Sequence, residues 1–184
     1  MTMEPTLDAY AAAFRRALEG WEDLVAALTA EAFNRRPPDG GWSVAQCMDH
    51  VAGTSARYLP GLEDVVARGG PAGAPPFRYD RRGRMFIDET SETVRRRRKT
   101  LRAMEPSQEP IDPAAALEAY RGHTARFLEL LAKAEGIDLA RIRMGSPYLP
   151  RIPFLTFPVG ALIEVCAGHE LRHLAQARRV GSSS

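Results

Sequence analysis

The sequence has little of the chemistry that marks secreted or membrane-spanning proteins. Only two of its 184 residues are cysteine, which is too few for a disulfide framework. No uninterrupted apolar stretch approaches the roughly 20 residues that a helix needs to cross a bilayer. The opening residues, MTMEPTLDAY, lack a basic segment followed by an apolar run and therefore predict no secretory signal. Together these absences predict a cytoplasmic protein with no membrane partner.

The chain also lacks the strong positive charge of most nucleic-acid-binding proteins, since its formal net charge is only +2. The charge is nevertheless uneven, because residues 78–102 hold ten basic and four acidic residues. Such a stretch could attract phosphate or an acidic ligand. No aromatic residue interrupts its RRRRK run, as a base-stacking surface would require. We therefore favour a solvated basic face and expect no nucleic-acid partner.

Composition and helical periodicity indicate one globular, all-α domain. Apolar residues make up 45% and charged residues 26% of the chain, which is typical of a globular protein. We assign residues 1–181 to a single domain and residues 182–184 to a tail. Apolar residues recur at helical spacing in four long segments, at about 6–30, 44–68, 113–135 and 158–180.

The ends of these predicted helices carry recognisable signals. Ser43 and Gln46 form a capping box at the start of the second helix, and Gly69 follows its end. Asp112 precedes a proline at the first position of the third helix, and Gly136 ends it. No segment alternates at the period of a strand. Four helices with one long connection predict an antiparallel four-helix bundle with a long insertion between helices 2 and 3.

Parts of two connections are harder to assign. Residues 84–104 combine apolar positions with the arginine run, and we predict a poorly packed insertion with some helix there. Residues 144–158 contain four prolines, which predicts an extended connector before the last helix.

Two of the four histidines, His169 and His173, lie four residues apart in the last predicted helix. Side chains at that spacing share one helix face about 6 Å apart, so both imidazoles can reach one ion at about 2 Å. A third ligand must come from another helix, and His50 is the candidate because it lies on the inward stripe of the second. Gln176, about one turn beyond His173, is predicted to orient a ligand or a bound water from outside the coordination shell.

Two motifs together resemble those of a known family. Residues 42–50 are WSVAQCMDH and residues 169–176 are HELRHLAQ, similar to the W-S-x-x-(Q/E)-x-x-x-H and H-x-x-x-H-x-x-Q hallmarks of the DinB-like superfamily. The resemblance covers nearly the whole chain, although the basic insertion and the proline-rich connector depart from the shortest members. It implies a four-helix bundle in which His50, His169 and His173 bind zinc, nickel, iron or manganese. It also implies metal-dependent hydrolase activity, or transfer or isomerisation with a low-molecular-weight thiol.

The two histidines of the last helix also fit a second motif. The string His169-Glu170-x-x-His173 also matches the zinc-protease motif, but Gln176 and Arg179 occupy the places where its extended form has glycine and histidine. We expect Glu170 to pair with an arginine instead.

The remaining candidate residues have simpler expected roles. Cys47 and Cys166 each lie one turn before a ligand histidine, so a fourth, thiolate ligand would make the site structural. We expect both cysteines to act as small buried apolar residues, and we expect no disulfide between them. His123 is expected to be a hydrogen-bonded core histidine.

Three functional hypotheses follow. The first is an enzyme of hydrolase or thiol-transferase type acting on a small-molecule substrate. The second is a metal- or small-molecule-binding protein without turnover, and the third is an interaction module that uses the basic insertion. The sequence assigns no catalytic residue, although Asp49, Tyr58 and Tyr148 are candidates. Homodimer formation through apolar helix faces is a further expectation.

Overall fold

Helices dominate the chain, as predicted. The computed structural model describes residues 3–90, 100–148, 152 and 154–182. Its α-helices are α1 (Leu7–Ala26), α2 (Ala30–Asn34), α3 (Val44–Ala67), α4 (Arg81–Thr90), α5 (Pro113–Lys133) and α6 (Val159–Gly181). A 3₁₀ turn spans Arg102–Met104, and two strands, β1 (Arg143–Gly145) and β2 (Thr156–Pro158), form an antiparallel pair. None of the helices in these described ranges is long and apolar enough to span a bilayer.

The predicted capping residues define the ends of α3 and α5. The Ser43 side chain accepts a hydrogen bond from the Gln46 backbone, and the Gln46 side chain accepts one from the Ser43 backbone. At the start of α5, the Asp112 side chain accepts a hydrogen bond from the Ala115 backbone. Gly69 and Gly136 both have positive φ angles just beyond the helix ends, a conformation that glycine adopts without a Cβ penalty.

The predicted end of the first helix is wrong. Helix α1 ends at Ala26, and a separate short helix, α2, begins at Ala30. The reason is local, because Thr29 adopts an extended backbone conformation and its hydroxyl caps Ala32 of the new helix. The hydrophobic periodicity continues across this break and therefore conceals it.

The four long helices pack around a common core. Helix α1 contacts α5 and α6, and α3 also contacts α5 and α6. The rings of Phe14 on α1 and Phe127 on α5 stack with their centroids 4.3 Å apart. Nearer the other end, Trp21 of α1 packs against Tyr120 of α5 at 6.0 Å. This packing places α3 and α6, the helices that carry the predicted metal ligands, in direct contact.

The start of the insertion is better packed than expected. Helix α4 lies against α6 and β2, with the Phe86 ring 4.9 Å from that of Phe157. Just before α4, buried Tyr79 hydrogen-bonds through its hydroxyl to Tyr10 of α1. Phe86 therefore packs against the core, whereas Met85 and Leu101 are exposed. The RRRRK run itself, residues 95–99, lies outside the described residues.

The expectation of no strands is also wrong, although only at the connector. Arg143 pairs with Pro158 and Gly145 pairs with Thr156 in β1 and β2. The Arg143 guanidinium supports this pair by donating to the Thr156 carbonyl and to Asp80. Strands of three residues are too short to show a period-two alternation, so the sequence gives no signal for them.

Gly160 allows the side chain of Tyr79 to pack closely against α6. A Cβ built at Gly160 would lie 2.4 Å from the Tyr79 hydroxyl oxygen. We expect Gly160→Ala to lower the free energy of unfolding by about 1–3 kcal/mol, because the Tyr79 ring must move. Urea unfolding monitored by circular dichroism measures this change.

Gly122→Ala is the matched control, since Gly122 is exposed on α5 and a Cβ there would meet nothing within 4 Å. It should raise the free energy of unfolding by about 0.5–1 kcal/mol through helix propensity. Equal effects of the two substitutions would contradict the close packing of Tyr79.

Candidate metal centre

The three predicted ligand histidines converge between α3 and α6. Nε2 of His169 lies 3.3 Å from Nε2 of His50 and 3.1 Å from Nε2 of His173. All three rings also lie edge to face, with centroids 4.5–5.0 Å apart. In the part of the chain that the structure describes, this is the only group of three or more histidine, cysteine or acidic residues placed to share an ion.

The backbone carbonyl of Met104 determines which nitrogen of His50 faces the cluster. Nδ1 of His50 lies 2.6 Å from this oxygen. Because a carbonyl can only accept, Nδ1 carries the hydrogen, and in the neutral ring Nε2 has a free lone pair. Metal-binding histidines are commonly oriented by such a bond from the other ring nitrogen.

Burial keeps the three rings uncharged. It is the main reason that the pKa of His169 falls to about 3, and the neighbouring His50 contributes to the same lowering. It also lowers the pKa of His50, although the bond to Met104 opposes this, and brings the pKa of His173 well below its ordinary value. The nearby Arg172 guanidinium lowers all three pKa values further. Neutral imidazole is the form that coordinates a metal ion.

Two of the nitrogen separations in the cluster fit one divalent ion. Two nitrogens that each lie about 2.0–2.1 Å from a tetrahedral ion are about 3.3 Å apart. The two Nε2 separations of 3.3 and 3.1 Å agree with this value. The donor set therefore matches the size of a first-row divalent metal, although imidazole does not select among these metals.

Trp42 and Gln176 lie beside the histidine cluster. The indole ring of Trp42 lies 4.7 Å from the His50 ring and 5.9 Å from the His173 ring, measured between centroids. Gln176 is half-buried, and its side chain raises the pKa of His173 against the larger effect of burial. Nδ1 of His173 is buried and makes no hydrogen bond to the described residues.

The other histidine and the two cysteines lie outside the cluster. Both Cys47 and Cys166 are free and buried, which confirms that they are not paired with each other. Neither belongs to the group of residues that could share an ion. His123 lies on α5, and the hydrogen bond expected for it is absent at its buried Nδ1 within the described ranges.

The three candidate catalytic residues are all engaged in hydrogen bonds. Asp49 accepts a hydrogen bond from the Ser107 backbone. The hydroxyl of Tyr58 lies 2.9 Å from the Ser146 hydroxyl, and burial raises the Tyr58 pKa. Tyr148 donates to the Thr54 carbonyl at 3.5 Å, one helical turn from His50. None of these contacts joins Asp49, Tyr58 or Tyr148 directly to a histidine of the cluster.

The prediction that Glu170 pairs with an arginine is wrong. Glu170 is buried, and its carboxyl accepts hydrogen bonds from Ser55 of α3, at 2.8 Å, and from Tyr120 of α5. Burial raises its pKa to about 7, while these two hydroxyls act in the opposite direction. Hydroxyl donors from other helices satisfy the carboxyl in the interior, where an arginine would carry a large desolvation cost.

A second buried carboxyl, which the sequence analysis missed, lies near the start of α6. Glu164 accepts a hydrogen bond from the Tyr10 hydroxyl at 3.0 Å, and Tyr10 is in turn bonded to Tyr79. Burial raises the pKa of Glu164 to about 6, which the Tyr10 hydroxyl opposes and the Asp88 charge reinforces. The sequence does contain a signal for it, namely an acidic residue on the apolar stripe between Leu162 and Val165.

These features define a class of protein, a helical protein with three convergent, uncharged histidines between two packed helices. A family model described as the DinB superfamily matches residues 13–177 of the chain. The chain belongs to the DinB superfamily. No curated protein and no solved structure matches it.

The buried Glu164 carboxyl predicts a pH-dependent term in stability. The folded protein keeps this proton up to a pKa of about 6, whereas the ordinary value is 4.5. The folded state therefore binds more protons across this interval, so the stabilisation present below pH 4.5 is lost as the pH rises through about 6. In urea unfolding, the free energy of unfolding of the wild type minus that of Glu164→Gln should fall by about 2 kcal/mol between these two pH values.

The exposed Glu135 provides the control, as Glu135→Gln also removes one carboxyl from the chain. The free energy of unfolding of the wild type minus that of Glu135→Gln should not show this pH dependence. If the free energy of unfolding of the wild type minus that of Glu164→Gln stays constant or rises with pH, Glu164 is ionised in the folded protein.

Proposed function

We propose that this protein binds one divalent metal ion through His50, His169 and His173 and uses it as an enzyme of hydrolase or thiol-transferase type. The single observation that carries the proposal is the arrangement of the three Nε2 atoms, two of which lie 3.3 and 3.1 Å from the third. Membership of the DinB superfamily supports it independently. Zinc, nickel, iron and manganese all remain candidates, since imidazole accepts each of them.

The number of ligands favours chemistry over a purely structural role. Structural zinc sites normally have four protein ligands, whereas three leave a position for water or substrate. In the described part of the chain, no cysteine or carboxylate joins the three histidines. A divalent ion held there would polarise a carbonyl, lower the pKa of bound water or hold a thiolate.

The residues around the cluster supply orientation and a partly apolar boundary. Met104 fixes the tautomer of His50, and the indole of Trp42 covers one side of the His50 and His173 rings. Gln176 is the candidate for orienting a ligand from outside the shell. Tyr148 lies over α3 one turn beyond His50 and would face a bound molecule from the proline-rich connector.

The same proposal includes the overall architecture and the partners. We assign the four long helices to an antiparallel four-helix bundle, with residues 78–102 as an insertion between its second and third helices. The substrate is a small molecule, and a low-molecular-weight thiol is a candidate co-substrate. A homodimer remains a prediction, as does the cytoplasmic location.

Metal content tests the ligand assignment. Native protein purified without an affinity tag should contain about one divalent ion per chain by elemental analysis. His169→Ala should lose this metal, because His169 Nε2 is the atom nearest to both other ligands.

His123→Ala is the matched control, because it removes a half-buried histidine outside the cluster. It should retain the metal content of wild type. Loss of metal from both variants, or from neither, would contradict the assignment of these three ligands.

Turnover separates an enzyme from a binding protein. We expect a panel of esters, amides and thiol-plus-electrophile pairs to give at least one reaction that a chelator abolishes and added metal restores. The His169→Ala variant should lose at least about 100-fold in rate, since it lacks the ion that activates water or thiol. Stoichiometric metal with no metal-dependent turnover would instead favour the non-catalytic binding protein.

A further inference from the structure

We propose that Asp49 is a positioning residue of the metal centre, which acts through residues 104–107 to fix the ring of His50. This inference rests on the proposed function in one respect, that His50 is a metal ligand. We call residues 104–107, at the end of the insertion, the clamp segment. Asp49 is thereby assigned a structural action on the ligand rather than the role of a general base.

Three hydrogen bonds hold the clamp segment against α3. The Ser107 N–H donates to Oδ2 of Asp49 at 2.8 Å, and the Ser107 carbonyl accepts from Nε2 of Gln46 at 3.1 Å. At the other end, the Met104 carbonyl accepts from Nδ1 of His50 at 2.6 Å. All three side chains come from one turn of the same helix.

Packing leaves these bonds as the main restraint on the clamp segment. Within it only Pro106 is buried, while Glu105 and Ser107 are exposed. A backbone segment with so few buried contacts depends on its hydrogen bonds to stay in one position. Asp49 and Gln46 anchor Ser107, three residues from the carbonyl that His50 needs.

The position of that carbonyl matters because it selects the tautomer of His50. With Met104 in place, the hydrogen is on Nδ1, and Nε2 presents its lone pair to His169. Without the anchor, water competes for Nδ1 and both tautomers become accessible. Asp49 hydrogen-bonds the clamp segment through Ser107, and its charge also acts on the His50 ring directly, which Asp49→Asn and Asp49→Ala both remove.

Asp49→Ala removes the anchor, and Asp49→Asn retains an oxygen acceptor for the Ser107 N–H. The first readout is the ¹⁵N shift of the His50 ring in metal-free protein, which reports the tautomer. The second is the dissociation constant for zinc, measured by competition with a chromophoric chelator. We expect Asp49→Ala to give a tautomer mixture and about tenfold weaker zinc binding, and Asp49→Asn to restore both towards wild type.

The same bond can be removed from its other end. Ser107→Pro deletes the N–H donor, whereas Ser107→Ala keeps both backbone groups and loses only a hydroxyl bonded within the loop, to Glu109. Ser107→Pro should reproduce the Asp49→Ala effect, and Ser107→Ala should match wild type. The Asp49→Ala and Ser107→Pro effects should not add, because each removes the same bond.

The two readouts distinguish failure of this inference from failure of the proposed function. Wild-type protein that binds none of zinc, nickel, iron and manganese would refute the metal site, and the inference with it, whatever the tautomer. If wild type binds zinc, an unchanged His50 tautomer in both Asp49→Ala and Ser107→Pro would overturn the inference alone. A shifted tautomer with unchanged zinc affinity would overturn it as well.

Discussion

The central constraint in this protein is that three uncharged imidazoles, two buried and one half-buried, meet at one point. Nδ1 of His50 is satisfied by the Met104 carbonyl, so its Nε2 can only accept. Nε2 of His169 contacts both other Nε2 atoms and can carry one hydrogen at most. Neutral rings therefore cannot make two good hydrogen bonds here, whichever tautomers His169 and His173 adopt. The unsatisfied hydrogen bonds make the cluster a costly arrangement for a purely structural purpose. One cation at the centre would satisfy all three lone pairs at once.

Helix α6 carries two of these ligands and two buried carboxyls, so it brings several polar groups into the interior. Glu164 is satisfied by Tyr10 of α1, and Glu170 is satisfied by Ser55 of α3 and Tyr120 of α5. Each of the other three long helices thus donates a hydroxyl to α6. Because these bonds are directional, they restrict rotation of α6 about its axis more than apolar packing alone would. The same rotation decides whether its two histidines face α3, so the carboxyls and the ligands depend on one helix orientation.

The features that could be predicted from the sequence are those that local chemistry determines. The capping box at Ser43 and the cap at Asp112 define helix starts because they involve residues three apart in the chain. His169 and His173 share a face for the same reason. The partner of Glu170 could not be predicted, since Ser55 and Tyr120 reach it only through tertiary packing. The packing of Phe86 against the core could not be predicted, because the neighbouring arginines weaken the apolar periodicity.

The contribution of Met104 to the site has no sequence signature at all, because a backbone carbonyl is common to every residue. A helix fixes the Cα and Cβ of His50 but leaves the direction of its nitrogens to the side-chain torsions. An acceptor outside the helix is needed to select one ring orientation and one tautomer, and here it comes from the end of the insertion. Helices α3 and α6 therefore bring the ligands together, while a connecting segment completes their alignment. For this reason the connection between α3 and α5 contributes to the site, although its length and basic composition alone point only to a solvated surface.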